Sequence, residues 1–387
     1  MKNDEYKDTV CSGTLLFEAF KAVRKSSSFK AETQKFGMDL LLNLAKLQQD
    51  LLTGKYKAGR KKEFILNERG KTRLIHSSDI EDKIFQHCLC DNILTPAVRR
   101  YIIYDNCASL KGRGISMSRK RLRAHIHKYY QKHKTNEGYI LLMDFSGYYD
   151  NLRHNLVITE LSKIFPKDSS VMDMVKVCLD SFKQDVSFLS DEEIDKLYNG
   201  KYKALDYAGV PRELKTGEKY LYKSLDIGDQ CSQIIGVYYP TRIDNYIKIV
   251  RGQKYYGRYV DDSYIISNSK EELIDLLKHI KEIAAELGII LNDRKIKIVK
   301  LSQTFKFLQH KYFLTETGKL VERINPKMVT AERQRLKKYF NVGLPLKDIE
   351  NNFNSWKGGY YKYMSKLQRK RLDKVFTKLK EEVLKNG

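Results

Sequence analysis

The feature of this sequence that most constrains its fold is a pair of adjacent aspartates inside an otherwise apolar and aromatic stretch. Asp261 and Asp262 interrupt the segment KYYGRYVDDSYIIS at residues 254–267. Two short runs rich in Tyr, Val and Ile around a polar break predict a β-hairpin. This hairpin would carry both carboxylates at its turn, which reads Tyr-Val-Asp-Asp.

A third aspartate follows a similar apolar run. Asp144 ends the run in GYILLMDFSGYYD at residues 138–150. Neighbouring carboxylates repel one another, so burying several of them in one site requires cations. Carboxylate oxygens are good ligands for Mg²⁺, and three carboxylates on two strands predict a site for two-metal phosphoryl transfer. The alternative, an acidic turn in solvent, is disfavoured by the third aspartate.

Three motifs resemble those of reverse transcriptases. The YVDD turn, DFSGYYDNLRH from residue 144 and IGDQCSQIIG from residue 227 resemble motifs C, A and B. The lineage they resemble is the bacterial one of group II introns, retrons and diversity-generating retroelements, including defence-associated enzymes. The resemblance covers residues 61–366. It implies an α+β, right-hand polymerase with fingers, palm and thumb, an antiparallel palm sheet and a helical thumb.

The resemblance also implies an activity and its cofactor. The expected reaction is RNA-directed DNA synthesis from dNTPs with two Mg²⁺ ions, for which Mn²⁺ is a substitute. Asp144 and Asp261 are the expected primary ligands and would bridge ions about 4 Å apart. Asp262 accompanies them by motif match. The backbone carbonyl of Phe145 is a further expected ligand.

Tyr149 stands five residues after Asp144, where reverse transcriptases place an aromatic gate. A bulky ring there would collide with a ribose 2′-hydroxyl and so select deoxynucleotides. The alternative is a core tyrosine beside Tyr148. The neighbouring Asp150 is expected to cap a helix that begins near Leu152.

Further contacts to nucleotide or template follow from the resemblance. A basic strand in a predicted hairpin at 56–76, a flexible basic loop and motif B supply Lys71, Arg73, Arg113, Gly228 and Gln233. For the hairpin, a merely charged edge is the alternative. Lys295 matches motif D, where a lysine can protonate the leaving pyrophosphate. Lys297 and Lys300 alternate with it on a predicted strand at 288–299. Motif B is predicted to open a helix at 229–246, and a further hairpin is predicted at 304–321.

Motif B has the form IGxxxSQ, whereas many reverse transcriptases have a Gln before the Gly and a Pro after the Ser. The form present here resembles that of diversity-generating retroelement enzymes, whose copying is error-prone at template adenines. Defence-associated relatives also vary at these positions. This difference in motif B leaves the copying fidelity undetermined, but it does not affect the predicted chemistry of the three aspartates.

The charge of the chain predicts a polyanionic partner. Its 387 residues carry a net charge of +24, and such an excess favours salt-sensitive contacts with phosphates. Residues 323–387 hold seventeen Lys and Arg against six Asp and Glu. Within this predicted thumb, the expected nucleic-acid contacts are Trp356, Lys366, Arg369, Lys370 and Arg371.

The expected organisation has three parts. Residues 1–136 would form N-terminal helices and fingers, 137–322 the palm with an insertion at about 183–223, and 323–387 the basic thumb. The six cysteines form no CxxC pair, so neither a zinc site nor a disulfide framework is expected. With no apolar stretch of about 18 residues and no signal peptide, the expectation is a cytoplasmic protein without a membrane partner.

No RNase H, endonuclease or integrase module is recognisable after the predicted thumb. We therefore expect a structured non-coding RNA as template, a DNA or RNA primer, and an accessory protein or oligomer, in a diversity-generating element or in antiphage defence. Two alternatives stay open. One is a template-independent or protein-primed DNA polymerase on the same fold, and the other is a non-catalytic RNA-binding scaffold.

Overall fold

The computed structural model describes residues 3–59, 61–68, 71–166 and 169–386. The helices are α1 (Asn3–Val10), α2 (Gly13–Ser27), α3 (Ala31–Met38), α4 (Leu40–Thr53), α5 (Ile80–Leu89), α6 (Thr95–Arg99), α7 (Ile115–His133), α8 (His154–Leu161), α9 (Ser170–Phe182), α10 (Asp191–Asn199), α11 (Gln230–Tyr238), α12 (Thr241–Asn245), α13 (Lys270–Glu286), α14 (Pro326–Asn341), α15 (Leu346–Tyr360) and α16 (Lys366–Asn386). The strands are β1 (Lys62–Glu68), β2 (Lys71–Ser77), β3 (Tyr139–Met143), β4 (Gln184–Asp185), β5 (Tyr220–Leu221), β6 (Tyr256–Tyr259), β7 (Asp262–Ser267), β8 (Lys297–Lys300), β9 (Phe305–Phe307), β10 (His310–Leu314) and β11 (Leu320–Ile324).

The sheets are small and built from antiparallel pairs. β1 pairs with β2, β3 with β8, β4 with β5, and β10 with both β9 and β11, all antiparallel. The largest sheet has the strand order β6-β7-β3-β8. Helices account for most of the remaining regular structure, so the predicted α+β class is confirmed.

The chain divides into two compact units, each assembled from three stretches of sequence. The first unit contains residues 1–118, 143–263 and 274–296, and the second contains 119–142, 264–273 and 297–387. Because neither unit is a continuous segment, the units do not follow the expected division into 1–136, 137–322 and 323–387. That division stays a prediction.

The predicted N-terminal helices are confirmed, and α2 shows why they form. The Ser12 side chain accepts a hydrogen bond from the amide of Leu15 and so caps the first turn. Leu16, Phe20 and Val23 then recur at helical spacing and are all buried. Capping thus sets where α2 begins, and its apolar stripe sets which face is buried.

The motif B helix is shorter than the predicted span of 229–246. α11 ends at Tyr238 and α12 begins at Thr241. Pro240 stands between them, and proline lacks the amide that would continue the helical hydrogen bonds. The predicted single helix is therefore wrong, and this segment is two helices.

Two predicted β elements also differ from the structure. The strand expected at 288–299 is confined to β8, so Lys295 lies in a turn before the strand. The hairpin expected at 304–321 is instead a three-stranded sheet of β9, β10 and β11. The hairpin predicted at 56–76 is confirmed as β1 and β2, and Arg69 and Gly70, between the two strands in sequence, lie outside the described residues.

The second unit has a helical apolar core. Buried residues from α14, α15 and α16, with Ile324 and Met364, form this cluster: Ile324, Val329, Leu336, Phe340, Ile349, Phe353, Met364 and Leu372. Burial of such side chains is the main stabilising contribution to a helical assembly. Among the described residues, no helix has both the length and the apolar character needed to cross a bilayer.

Candidate active site

The predicted acidic hairpin is present, and its turn is strained. β6 ends at Tyr259 and β7 begins at Asp262, so Val260 and Asp261 form the connection. Val260 has φ 56°, in the left-handed region. A β-branched side chain is strongly disfavoured there, and strain of this kind costs about 1–3 kcal/mol. The surrounding structure must therefore stabilise the turn that carries the carboxylates.

Arg258 provides that support from a fully buried position. Its guanidinium donates to both carboxylate oxygens of Asp244, at 2.8 and 2.7 Å, and to the carbonyls of Val260 and Val237, at 2.9 Å each. Burial alone would lower the pKa of Arg258, but the Asp244 carboxylate outweighs it and raises the pKa. Because Arg258 binds the Val260 carbonyl, this ion pair fixes the backbone of the acidic turn.

The three predicted carboxylates lie close enough for the charge of Asp144 to act on the two aspartates of the turn. Asp144 directly follows β3 and is 5% exposed. Burial and then the charge of Asp144 raise the pKa of Asp261. Burial, followed by the charges of Asp261 and Asp144, raises the pKa of Asp262 to about 7. The structure therefore brings together the carboxylates predicted to bind metal.

Lys295 and Asn292 contact Asp144 directly. The Lys295 ammonium donates to both Asp144 oxygens at 2.8 and 2.7 Å, and the Asn292 side chain donates to Oδ1 at 3.1 Å. The Asn292 backbone amide also donates to the Asp144 carbonyl at 2.9 Å. The charges of Lys71 and Lys295 partly offset the raised pKa of Asp261. Two lysines predicted for this site are therefore near the carboxylates.

These carboxylates fit a divalent cation by their chemistry. They are hard oxygen donors, they are largely buried, and their mutual repulsion is relieved by positive charge. Among the residues that the structure describes, no group of three or more His, Cys, Asp or Glu side chains is arranged so that it could hold a metal ion. Lys295 occupies both oxygens of Asp144. Asp144, Asp261 and Asp262 would hold the metal once that ammonium moves.

Tyr149 lies beside the acidic site and packs against motif B. A Cβ placed on Gly236 would meet Cε1 and Oη of Tyr149 at 2.9 Å each, so a larger residue there would displace the ring. Burial and then the charge of Asp261 raise the pKa of Tyr149. Tyr148 instead is a buried residue, with its hydroxyl donating to the Gly236 carbonyl at 2.8 Å. The two adjacent tyrosines therefore have different environments.

Asp150 does not cap a helix, contrary to the prediction. α8 begins at His154, and its first turn has no side-chain cap. Asp150 instead accepts a hydrogen bond from the backbone amide of Ala204, and burial raises its pKa to about 6. The chain after Asp144 forms a short 3₁₀ turn at Tyr149–Asn151 before the helix.

The other predicted nucleotide contacts lie in varied surroundings. Phe145 is buried and its backbone bridges to Leu291. Arg73 is half-buried on β2 and lies opposite Leu66.

The Arg113 guanidinium donates to the carbonyls of Ile103 and Asn106, so it stabilises its own loop. Gly228 and Gln233 line a pocket of about 460 Å³ whose other walls include α2, α3 and α5.

The predicted nucleic-acid contacts of the thumb differ in exposure. Lys366, Lys370 and Arg371 are exposed on α16. Arg369 is half-buried and lies over the Tyr361 ring at 5.7 Å. Trp356 packs against the apolar core of the second unit. Three of the five side chains are thus exposed to solvent, whereas Arg369 and Trp356 also contribute to packing.

A buried ionic network at the base of the β1–β2 hairpin was not predicted. The Lys61 ammonium pairs with Asp226, and His76 Nδ1 lies 3.0 Å from Asp226 Oδ1. Burial alone would lower the pKa of His76, but Asp226 and Glu63 outweigh it and raise the pKa to about 9. The only sequence signal was the presence of charged residues at the ends of an otherwise apolar hairpin.

A strained acidic turn, a third buried carboxylate and adjacent lysines are the groups expected of a site for metal-assisted nucleotidyl transfer. A sequence model of the family described as "Reverse transcriptase (RNA-dependent DNA polymerase)" matches residues 59–312. This match covers more than half of the chain, so the chain belongs to the reverse transcriptase family. It therefore has the predicted right-hand polymerase fold and carries an RNA-directed DNA polymerase domain.

Solved structures with some similarity include two telomerases. Apo telomerase from Candida tropicalis is 14% identical, with a TM-score of 0.46, and the match covers 73% of this chain and 53% of that one. Telomerase from Candida albicans with a fragment of telomeric RNA is 12% identical, with a TM-score of 0.45 and coverages of 84% and 55%. The chain thus spans about half the length of these telomerases. A search of curated proteins finds no significant match.

Proposed function

We propose that this protein copies a dedicated, structured non-coding RNA into DNA, within a bacterial or phage retroelement or an antiphage defence system. Membership of the reverse transcriptase family supports the reaction. The IGxxxSQ form of motif B supports the bacterial lineage, and the net charge of +24 supports a nucleic-acid partner. We also propose a cytoplasmic location, and an accessory protein or a second copy of the chain as a further partner.

The proposed reaction joins a primer 3′-hydroxyl to the α-phosphorus of a dNTP. The new phosphodiester bond forms as the bond to pyrophosphate breaks. Asp144, Asp261 and Asp262, with the Phe145 carbonyl, would hold two Mg²⁺ ions, or Mn²⁺ in their place. Such ions supply charge stabilisation and activate the attacking oxygen. The observation that carries this proposal is the proximity of the three carboxylates, since the charge of Asp144 acts on both Asp261 and Asp262.

Basic residues and one ring would complete nucleotide binding. Lys71 and Arg73 would neutralise the triphosphate, since charge neutralisation is most of what a protein must supply for phosphoryl transfer. Lys295 would leave Asp144 and donate a proton to the departing pyrophosphate. Tyr149 would pack beneath the sugar and exclude a 2′-hydroxyl.

The experiment that tests the template proposal uses protein purified from its native locus. We expect one discrete small RNA to co-purify, and the cDNA made by the protein to match part of it. A matched variant with both Asp261→Ala and Asp262→Ala should retain the RNA and yield no cDNA. This pair of preparations separates RNA binding from synthesis.

Two outcomes would contradict the proposal and identify its competitors. DNA products unrelated to the retained RNA would favour a template-independent or protein-primed polymerase. Retention of RNA by a wild-type protein that makes no DNA under any divalent metal would favour an RNA-binding scaffold.

A further inference from the structure

The insertion expected at about 183–223 folds as a small subdomain with its own core. β4 and β5 pair at its base, and Val186, Tyr202, Ala204 and Leu221 are buried together above them. We call residues 184–221 the insertion subdomain. A core of this size orders a polar connection that would otherwise be a loop.

Lys223, just after the subdomain, fixes the end of its helix α10. The Lys223 ammonium is buried and donates to the carbonyls of Leu197, Tyr198 and Gly200 at 2.9, 3.2 and 2.6 Å. At the other end of α10, Ser190 and Glu193 form a reciprocal capping box. Both ends of α10 are therefore fixed, and the subdomain presents a defined backbone to its surroundings.

That backbone is hydrogen-bonded to the turn that follows Asp144. Asn151 is 2% exposed. Its side-chain oxygen accepts from the Tyr202 amide at 2.8 Å, and its side-chain nitrogen donates to the carbonyls of Tyr202 at 3.0 Å and Gly147 at 2.8 Å. Asn151 is therefore hydrogen-bonded to Tyr202 of the insertion subdomain and to Gly147 of the turn at the same time. Buried polar groups left without these bonds would be costly.

The same turn carries Tyr149. Tyr149–Asn151 is a single 3₁₀ turn, and the Tyr149 carbonyl accepts from the Leu225 amide at 2.8 Å. The side chain of Tyr149 packs on Gly236, where no Cβ would fit. The position of the Tyr149 ring is thus set by its backbone on one side and by the motif B helix on the other.

We propose that Asn151 is a positioning residue for sugar selection, and that the insertion subdomain is the support through which it holds Tyr149. The inference rests on the proposed role of Tyr149 as the sugar gate. Asn151 touches neither nucleotide nor metal in this role. It fixes the turn so that the Tyr149 ring stays where a 2′-hydroxyl would collide with it.

The experiment measures discrimination as the ratio of kcat/KM for a dNTP to that for the matching rNTP on a defined primer and template. Tyr149→Val removes the ring and tests the gate itself. Asn151→Ala should lower discrimination by roughly tenfold, because small displacements of a positioning group strongly affect selectivity. Most of that change should come from easier use of the rNTP, with kcat for the dNTP little altered.

Asn155→Ala is the matched control. Asn155 Oδ1 accepts a hydrogen bond from the Tyr198 hydroxyl at 2.9 Å, so it also joins the subdomain to the segment after Asp144. Unlike Asn151, it is exposed and lies on α8, beyond the turn of Tyr149. Its loss should leave discrimination unchanged. Equal losses of discrimination in both variants would show a general effect of loosening the subdomain and would overturn the specific positioning role of Asn151.

A double variant separates positioning from stability. If Asn151 acts through Tyr149, then Asn151→Ala should add nothing to the discrimination lost by Tyr149→Val. An additive effect would overturn the proposal. Thermal unfolding checks that each variant is folded. Should Asn151→Ala fail to fold, Asn151→Asp keeps the acceptor for the Tyr202 amide and should show the same direction of change.

The failures of the two proposals are distinguishable. Wild-type discrimination in a folded Asn151 variant, with discrimination lost in Tyr149→Val, would overturn the positioning role and leave the gate intact. Wild-type discrimination in Tyr149→Val would overturn the gate, and with it any role for Asn151 in sugar selection.

Discussion

A fully buried ion pair and a half-buried acidic pair lie within four residues of each other in sequence, and they are built on opposite principles. Arg258 and Asp244 are fully buried and satisfy each other, with further bonds to backbone carbonyls. At the acidic turn, burial and the charge of Asp144 raise the pKa of Asp261, and burial with the charges of Asp261 and Asp144 raises the pKa of Asp262. The first cluster stabilises the fold, and the second is the site that we propose binds a cation. The comparison shows how a stable ion pair can hold an unstable acidic turn in place.

The largest expected effect comes from removing the acidic pair. Asp261→Ala combined with Asp262→Ala should lower DNA synthesis on the order of a thousandfold or more, because transition-state charge would be unbalanced. The free energy of unfolding of the metal-free protein should be unchanged or higher at alkaline pH, since a buried repulsion is removed. Primer extension and denaturant unfolding measure the two quantities.

Asp293→Asn is the control for that prediction, because Asp293 is exposed and pairs with Lys281 at 2.8 Å. It should extend primers as the wild type does. Undiminished synthesis by the double variant would show that Asp261 and Asp262 take no part in the reaction. The acidic turn would then not differ from the ion pair in function.

Removing Arg258 should chiefly lower the stability of the protein, whereas removing the acidic pair should chiefly lower DNA synthesis. Arg258→Gln leaves Asp244 buried without its partner and should lower the free energy of unfolding by about 3–5 kcal/mol. Arg251→Gln, which breaks the more exposed pair with Asp275 at 2.8 Å, should cost only ~0–1 kcal/mol. Urea unfolding of both variants measures the difference. Equal costs would mean that burial does not distinguish these ion pairs.

The buried ionic network around His76 should make the free energy of unfolding depend on pH. Its folded pKa of about 9 exceeds the unfolded value of about 6.5, so its stabilising contribution is complete below about pH 6.5. That contribution, about 2–3 kcal/mol, should be lost as pH rises through about 9. The free energy of unfolding of His76→Gln should fall less over this range. Parallel pH profiles for wild type and variant would contradict the prediction.

The smallest expected effect concerns Lys295. Lys295→Met removes the ammonium from Asp144 and should destabilise the metal-free protein by about 1 kcal/mol. It should also make the melting temperature rise more steeply with Mg²⁺, because the metal no longer competes with an ammonium. Lys297→Met, on the neighbouring strand, is the matched control. Identical Mg²⁺ responses of the two variants would show that Lys295 does not compete for the site.

The acidic hairpin and the third carboxylate were predictable because their signals are local. Each is a run of β-forming residues that ends at an aspartate, and periodicity alone places the turn. Lys295 was misplaced because IILNDRKIKIV has the alternation of a strand. Hydrogen bonds from Ser146 to Ile290 and from Asn292 to Asp144 instead turn this segment around Asp144.

Arg258 and Asn151 could not have been assigned from the sequence alone. The partner of Arg258 lies fourteen residues away, and Asn151 bonds to Tyr202, fifty-one residues away. A charged or amide side chain in an apolar run signals only that a partner is needed. Which residue supplies it depends on tertiary contacts that local patterns do not encode. Asp150 illustrates the same limit, since its helix-capping spacing was outweighed by the amide of Ala204.

The left-handed Val260 has a consequence for attempts to make this enzyme more heat-resistant. Glycine adopts a φ of 56° without steric penalty, so Val260→Gly is an obvious stabilising substitution. It would also widen the range of backbone angles open to Asp261. Natural proteins often retain such strained residues at active sites, where relieving the strain costs activity. A screen that selects only for melting temperature would therefore favour variants with a looser catalytic turn and slower synthesis.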